Sequence, residues 1–384
     1  MELKPGAQGD TVAAMFARQV AARGDQVVLR KKDRGIWKAT TWSELDADVA
    51  AIRRGLQAID FGRGDVAAVL ADTRPEFVCA DLAILSAGGA TVAINPDEEA
   101  SRVGHILRSA GCRVVFVEAE EQLDKVLTVR GECPALSRIV IFDMKGLRDF
   151  NDPQCFSLDG FLINNGATAP VDPSPAPDDP AVILFPRGPH SGMGHTLTHG
   201  DVMHLVTGAQ AQLGVRDGDE RLAILPMSDV TERILGLYVG LAAGVISNYL
   251  ESPETAVENL QQLQPTVLGA NAEAWERLHA RITAAADGAT RLQKALYRWA
   301  IAAGEAGGLS SALANMLVLR QVRRELGMLR LRLTYIGEES IPAEVSRWTQ
   351  GLGIRVRPVT DFSGPGADQR YRDLMQQAVA VAGS

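Results

Sequence analysis

Short apolar strands alternate with amphipathic helices along the first half of the chain, and this alternation limits the fold more than any other feature. The runs at 66–71, 91–94, 113–117 and 138–142 are apolar and of strand length. Strands without a polar face need helices on both sides of their sheet, as in a parallel α/β sheet. After the segment 166–180, rich in Pro, Asp and Ala, the alternation resumes, with predicted strands at 181–185, 222–225, 245–249, 266–268, 331–336 and 354–358. We therefore predict two successive α/β subdomains, residues 1–172 and 173–366, and a short tail, 367–384.

Two helix starts and one long apolar run mark the local structure. Asp10 or Thr11 caps a predicted first helix that ends at Gly24, and Ser43 with Asp46 has the spacing of a capping box for a second helix. The longest apolar run, 234–246, has 13 residues and predicts a buried helix followed by a strand, because a bilayer span needs about 20. Three tryptophans in predicted amphipathic helices are expected to pack inside: Trp275, Trp299 and Trp348.

Composition narrows the class of protein. With 46% apolar and 22% charged residues in 384, the chain is typical of a globular protein and not of a disordered one. A net charge of -8 offers no concentrated basic surface, so we predict no nucleic-acid partner. The cysteines form no CxxC pair and the N-terminus has no apolar leader, which predicts reduced thiols and a cytoplasmic protein without a membrane span. The four cysteines are Cys79, Cys112, Cys133 and Cys155.

Residues 181–199, AVILFPRGPHSGMGHTLTH, are the segment in which we expect chemistry. A predicted strand leads into a loop with three glycines, and Thr198, His199 or Asp201 then caps a helix. Glycine loops bind phosphate because their backbone N–H groups can approach an anion, assisted by hydroxyls and a lysine. This loop lacks a lysine, and only Ser191 and Thr196 offer hydroxyls. As a bare pattern it fits a plain strand–loop–helix connection better than a phosphate site.

Four segments in series nevertheless resemble one family. DDPAVILF at 178–185, with the glycine loop and LTHGDVM at 197–203, resembles the first core motif of the adenylate-forming enzymes, especially long-chain fatty-acyl-CoA synthetases. Matching segments follow in order: AILPMSDVTERILGLYVGLAAG at 223–244, NAEAWERLHARITAA at 271–285 and LRLTYIGEESIPAEVSRWTQGLGIRV at 331–356. The resemblance covers residues 11–366. It implies two layered α/β subdomains of the acyl-CoA synthetase N-terminal domain type, and a reaction that activates a carboxylate with MgATP before passing it to a thiol.

The departures from the family pattern fall on the positions that the resemblance assigns to chemistry. In the phosphate loop, three hydroxyl positions have become Pro186, Arg187 and Pro189, and the family's lysine is absent. The vestigial phosphate loop consists of Arg187, Gly188, His190, Ser191 and Gly194. The family also continues through a lid domain that bears the catalytic lysine. Here only the tail follows Gly366, and Lys294 is the single lysine past Lys145, so we expect the lid domain to be lacking.

The nucleotide and acyl segments show the same mixture of loss and retention. Gly364 stands at the position of the family's magnesium-placing glutamate, and Glu338 and Glu339 bring negative charge to the adenine turn. The vestigial nucleotide site consists of Gly337, Glu338, Asp361 and Ser363. In the acyl segment Asp229 replaces a histidine, while Glu232 and Arg233 are kept. The resemblance assigns Asp229, Glu232 and Tyr238 to the acyl pocket.

We therefore favour a pseudoenzyme of this family that cannot adenylate alone, with no catalytic residue and no cofactor. It would bind an acyl chain, another apolar carboxylate or a partner protein. The alternative is an active ATP-dependent fatty acid–CoA or –ACP ligase in which Arg187 or His190 serves the phosphates and the lid is supplied in trans, with ATP and Mg2+ required.

Two further clusters favour structural interpretations. His190, His195, His199 and His204 lie within fifteen residues, but they straddle a loop, and we predict no metal site. The arginines between 320 and 332 predict a solvated helix face with Glu325 as a partner, in preference to an anion site such as one for the CoA phosphate.

Overall fold

A computed structural model describes residues 10–163, 174–185, 194–288, 290–336, 341–358 and 373–374. The strands are β1 Val27–Asp33, β2 Ile36–Thr41, β3 Val66–Leu70, β4 Ala90–Ile94, β5 Cys112–Val117, β6 Arg138–Ile141, β7 Cys155–Ser157, β8 Pro180–Leu184, β9 His195–Thr198, β10 Glu220–Ala223, β11 Ile246–Tyr249, β12 Val267–Gly269, β13 Leu333–Ile336 and β14 Val356–Pro358. The α-helices are α1 Val12–Arg23, α2 Trp42–Ala58, α3 Pro75–Ser86, α4 Ala100–Ala110, α5 Glu120–Val129, α6 Leu158–Ile163, α7 His199–Leu213, α8 Val239–Ala243, α9 Ala256–Leu263, α10 Ala272–Asp287, α11 Arg291–Ala306, α12 Gly308–Ala314, α13 Arg320–Glu325 and α14 Ala343–Gly351. Two π-helical segments, Glu232–Tyr238 and Asn315–Leu319, precede α8 and follow α12.

Two seven-stranded sheets carry the fold. Sheet 1 has the order β7-β6-β5-β3-β4-β8-β9 and is parallel except for the antiparallel pair β8–β9. Sheet 2 has the order β14-β13-β12-β10-β11-β1-β2, and its antiparallel pair is the hairpin β1–β2. In the central strands of sheet 1, residues 67–70 and 114–117 are fully buried, in agreement with the apolar runs predicted at 66–71 and 113–117.

Each sheet takes strands from both sides of residue 172. The hairpin β1–β2, which the sequence analysis missed, joins sheet 2 by pairing β1 with β11, with Leu29 opposite Ser247. Strand β8, which follows residue 172, extends sheet 1 by pairing with β4, with Thr91 opposite Val182. Pairing over such sequence distances is set by tertiary contacts that no local pattern encodes. The predicted division into subdomains at 172 stays a prediction.

One predicted helix start is confirmed and one is wrong. The Thr11 side chain accepts from the Ala14 N–H at 3.1 Å and caps α1. Helix α2 begins at Trp42 and not at Ser43, because Thr41 and Glu44 form its capping box. The end of the β1–β2 hairpin fixes this start, since Thr41 is paired with Val27 in the sheet.

The apolar run at 234–246 forms the predicted buried helix followed by a strand. It contains most of the first π-helical segment, all of α8 and the first residue of β11. Within the described residues, no helix has the length and apolar character that crossing a membrane requires. Trp275 and Trp348 are buried as predicted, whereas Trp299 is 39% exposed and the prediction for it is wrong. The four cysteines are free thiols, and burial raises the pKa of Cys155 to about 11.

Candidate functional site

The glycine loop connects two antiparallel neighbours. Strand β8 pairs with β9, with Leu184 opposite His195, so the intervening loop leaves and re-enters sheet 1 at one place. Strand β9 was not predicted. Thr198, one of the three predicted alternatives, is the N-cap of α7 and forms a capping box with Asp201. Of the predicted phosphate-loop residues, Arg187, Gly188, His190 and Ser191 lie outside the described residues.

Gly194 is the member of that loop set which the structure describes. A Cβ atom there would lie 2.6 Å from Cγ2 of Ile183 and 2.9 Å from Cε2 of Phe185. A larger residue would have to push the last residues of β8 aside. Gly194 therefore allows the chain to pass close to the side chains of Ile183 and Phe185 at the base of the loop.

Two side chains of α4 flank Phe185, the residue from which the loop departs. The Arg102 guanidinium lies 6.0 Å from the centre of the Phe185 ring, and the His105 ring meets it edge-on with a centroid distance of 6.4 Å. Burial lowers the pKa of Arg102, which is 6% exposed. Sequence reasoning missed this cationic neighbour. The sequence signal for it was the pair Arg102 and His105, which lie three residues apart on one amphipathic helix.

The predicted nucleotide residues follow two neighbouring strands. Strands β13 and β14 are parallel and in register, with Ile336 opposite Pro358. The chain therefore leaves sheet 2 at adjacent points just before the two parts of the predicted site. Gly337 and Glu338 follow β13, and Asp361 and Ser363 follow β14. All four lie outside the described residues.

The predicted acyl residues lie on or just before the first π-helical segment. Asp229 Oδ1 accepts from the Thr231 N–H at 2.8 Å, and its carbonyl accepts from the Arg233 N–H, so Asp229 holds the turn that starts the segment. All seven residues of this segment, from Glu232 to Tyr238, are buried. The kept Glu-Arg pair is thus inside the protein.

Glu232 points toward sheet 2. Its Oε1 accepts from the Arg221 guanidinium of β10, and both side chains are at most 2% exposed. Burial raises the pKa of Glu232, although the Arg221 charge acts in the opposite direction. Gly236 makes the contact possible, because a Cβ there would lie 2.6 Å from Nη2 of Arg221.

Glu232 and Arg221 lie among buried aromatic side chains of sheet 2. The fully buried tyrosines Tyr249 and Tyr335 lie beside Arg221, and burial raises the pKa of both phenols. A Cβ at Gly269 would lie 2.4 Å from Cε2 of Tyr335. Tyr335 therefore packs directly against the backbone of β12 at Gly269.

Arg233 points the other way, toward sheet 1. It forms a fully buried ion pair with Asp81 of α3 and donates to Oγ1 of Thr91 in β4 at 3.0 Å. The Tyr238 hydroxyl donates to Oδ2 of Asp81 at 2.7 Å, and burial raises its pKa. Sequence reasoning missed Asp81. The signal was a single acid within the otherwise apolar stretch 77–85.

The histidine and arginine clusters are used structurally where they are described. His199 is fully buried, its Nδ1 accepts from the Val12 N–H, and burial lowers its pKa to about 4. In the described part of the chain, no three His, Cys, Asp or Glu side chains are grouped to hold a metal.

The ion-pair partners of the later arginines differ from the prediction. Arg330 pairs with Glu220 and Arg332 with Asp219, whereas Glu325 accepts from Gln321. A cavity of about 550 Å³ beside Arg332 lies at the amino ends of β13 and β14. That is the edge of sheet 2 opposite the carboxyl ends of β13 and β14.

Comparison with known proteins decides the family. The profile of the AMP-binding enzyme family matches residues 16–365. The chain belongs to this family. The long-chain-fatty-acid–CoA ligase ACSBG2 of Xenopus laevis is 20% identical over 385 residues, which cover 92% of this chain and 51% of the relative. ACSBG1 of Homo sapiens is 21% identical, with 92% and 52% covered. This chain spans about half the length of the curated relatives it matches.

Solved structures of AMP-binding enzymes share the fold. The A-PCP didomain of carboxylic acid reductase from Segniliparus rugosus, in complex with AMP, has a TM-score of 0.73 at 16% identity, covering 92% of this chain and 52% of that one. The N-terminal domain of FACL13 from Mycobacterium tuberculosis has a TM-score of 0.67 at 15% identity, covering 95% and 81%. The predicted fold class, an α/β fold of the acyl-CoA synthetase N-terminal domain type, is confirmed.

Proposed function

We propose that this chain is an acyl-CoA synthetase-like protein that does not form an acyl adenylate by itself. The proposal rests on the contacts that the retained residues Glu232 and Arg233 make in the structure. Glu232 is neutralised by Arg221 of sheet 2, and Arg233 by Asp81, which packs on sheet 1. These two retained residues thus connect the two sheets. The substituted residues are those that would contact the nucleotide.

The donor set does not fit MgATP. The phosphate loop has prolines where hydroxyls and N–H donors are needed, and it has no ammonium group. Gly364 supplies no side-chain oxygen for Mg2+, which requires near-octahedral oxygen ligands.

The surroundings of Glu232 also bear on the two non-catalytic roles that the sequence left open. Tyr249 and Tyr335 occupy the space beside Glu232. This favours a role through the protein's surface over capture of an acyl chain against the first π-helical segment.

Calorimetry with MgATP, followed by pyrophosphate exchange with a panel of fatty acids, tests the proposal. An active long-chain-fatty-acid–CoA ligase is run in parallel as the positive control. We expect no saturable heat and no acid-dependent exchange. Saturable binding with acid-dependent exchange would overturn the proposal.

One observation favours the active alternative, an ATP-dependent fatty acid ligase with a lid in trans. Arg102 places a guanidinium beside Phe185, where the phosphate loop begins. If exchange is detected, Arg102→Ala and Arg187→Ala should abolish it. Arg54→Ala, on the exposed side of α2, should leave it unchanged.

A further inference from the structure

Exposed apolar side chains are concentrated in one small part of the fold. Among the described residues, nine large apolar side chains are clearly exposed, and seven of them lie between 292 and 317. They belong to α11, to α12 and to the second π-helical segment, which we call together the apolar hairpin (residues 291–319). The seven are Leu292, Leu296, Trp299, Leu309, Leu313, Met316 and Leu317. Isolated exposed leucines need no explanation, but a concentration of this kind does.

The exposed residues follow helical periodicity. Leu292, Leu296 and Trp299 are spaced i, i+4, i+7 and share one face of α11. Ala303 continues the same face and is buried. The apolar face of α11 therefore starts at the surface and runs into the core.

The second helix repeats this pattern. Leu309, Leu313 and Met316 have the same i, i+4, i+7 spacing and are 91%, 46% and 69% exposed. Ala314 and Leu319 are buried. Both helices of the hairpin thus present an apolar face outward.

The hairpin is held firmly by the rest of the protein. A Cβ at Gly304 would lie 1.9 Å from the carbonyl oxygen of Gly351, so α11 and α14 touch backbone to backbone. Ala300 and Ala303 of α11 are buried in the adjoining hydrophobic core. The apolar face is therefore presented by a packed element and does not depend on a frayed end.

The hairpin and the helix after it are basic within an acidic protein. Residues 291–325 carry two acidic side chains, Glu305 and Glu325, whereas the whole chain has a net charge of -8. Six basic residues accompany these two: Arg291, Lys294, Arg298, Arg320, Arg323 and Arg324. A two-fold contact between two copies would place like charges together, which is unfavourable. An anionic bilayer complements both the apolar faces and the charge.

We propose that the apolar hairpin docks this protein on the surface of an anionic phospholipid bilayer. The leucines, Met316 and Trp299 enter the boundary between headgroups and acyl chains, and the exposed basic side chains contact the lipid phosphates. Docking of this kind requires no membrane-crossing helix. It is independent of whether the protein forms an acyl adenylate.

Vesicle flotation tests the proposal with the full chain. We expect flotation with phosphatidylcholine vesicles that contain about one quarter phosphatidylglycerol, none with pure phosphatidylcholine, and release at about 500 mM NaCl. Absence of flotation with the anionic vesicles at about 50 mM NaCl would overturn the proposal.

Two variant pairs assign the binding to the hairpin. Leu309→Ser/Met316→Ser should weaken vesicle binding at least about tenfold, whereas Ile36→Ser/Ile163→Ser, at similarly exposed apolar positions elsewhere, should not. Equal losses in both would contradict the assignment.

The second pair tests the charge. Arg291→Gln/Arg298→Gln should weaken binding about 25-fold, at about fivefold per charge, and the exposed control Arg54→Gln/Arg148→Gln should not. Sedimentation equilibrium tests the remaining possible occupant of the apolar hairpin, a second copy of this chain. A dimer that Leu309→Ser/Met316→Ser dissociates, in a protein that ignores vesicles, would replace the proposal with a contact between copies.

Discussion

Removing one partner of the buried ion pair between Arg233 and Asp81 should destabilise the protein strongly. Asp81 is fully buried and accepts hydrogen bonds from both Arg233 and Tyr238. The Arg233 side chain is 1% exposed, and in Asp81→Leu its polar partners among the described residues would be Thr91 and Tyr238. An uncompensated buried charge of this kind costs about 3–5 kcal/mol in the free energy of unfolding.

The matched double variant separates charge from shape. In Asp81→Leu/Arg233→Met both charges are gone and apolar side chains fill the space. Because replacement of a whole buried pair is often close to neutral, we expect most of the loss to be recovered. A deficit of about 1–2 kcal/mol should remain, since the buried Tyr238 hydroxyl loses both Asp81 and Arg233 as partners. Asp33→Asn, which breaks the exposed pair with Lys38, serves as the surface control and should leave the unfolding midpoint unchanged.

Urea titration and thermal scanning followed by circular dichroism measure these changes. An unfolding entropy of about 2.1 cal/mol/K per residue gives about 0.8 kcal/mol/K for 384 residues, so a loss of about 4 kcal/mol lowers Tm by about 5 °C. A single variant within about 1 kcal/mol of wild type, or a double variant no better than the single one, would refute the reasoning.

Two further predictions concern pH and helix capping. Burial lowers the pKa of His199 to about 4, so below the unfolded value of 6.5 the unfolded chain takes up a proton that the folded protein refuses, and stability falls from pH 6.5 toward 4. His199→Gln should flatten this dependence by roughly 2–3 kcal/mol in urea titrations at pH 7 and 4.5, and an unchanged slope would contradict it. Thr41→Ala should lower the free energy of unfolding by about 1 kcal/mol because it removes the cap of α2, whereas Ser43→Ala should change it much less. The reverse order in thermal scans would favour the cap predicted from sequence.

The sequence-based prediction succeeded where a pattern is local. The apolar run at 66–71 is strand β3, the run at 234–246 is a buried helix followed by a strand, and Thr11 caps α1. It failed where a distant partner decides. The hairpin β1–β2 has an exposed, mixed pattern on β2 and is placed by the pairing of β1 with β11, more than 200 residues away.

For the candidate site, residue types were readable and their partners were not. The segments that resemble the family predicted the phosphate loop, the adenine turn and the acyl segment. The strands that lead into these segments lie where the resemblance places them. Asp81, Arg102 and Arg221 were missed because each acts on a residue far along the chain. Only the folded chain brings Asp81 to Arg233 and Arg102 to Phe185.

By itself, the sequence determined the class of fold, because unbroken apolar strands between amphipathic helices can be buried in few other ways. It also determined which chemical groups the glycine loop contains. Tertiary structure alone decided that Glu232 and Arg233 are turned toward opposite sheets, and that the apolar face of α11 emerges from the core at Leu292. A helical pattern marks an apolar face without saying what covers it, and burial depends on neighbours that only the folded chain supplies.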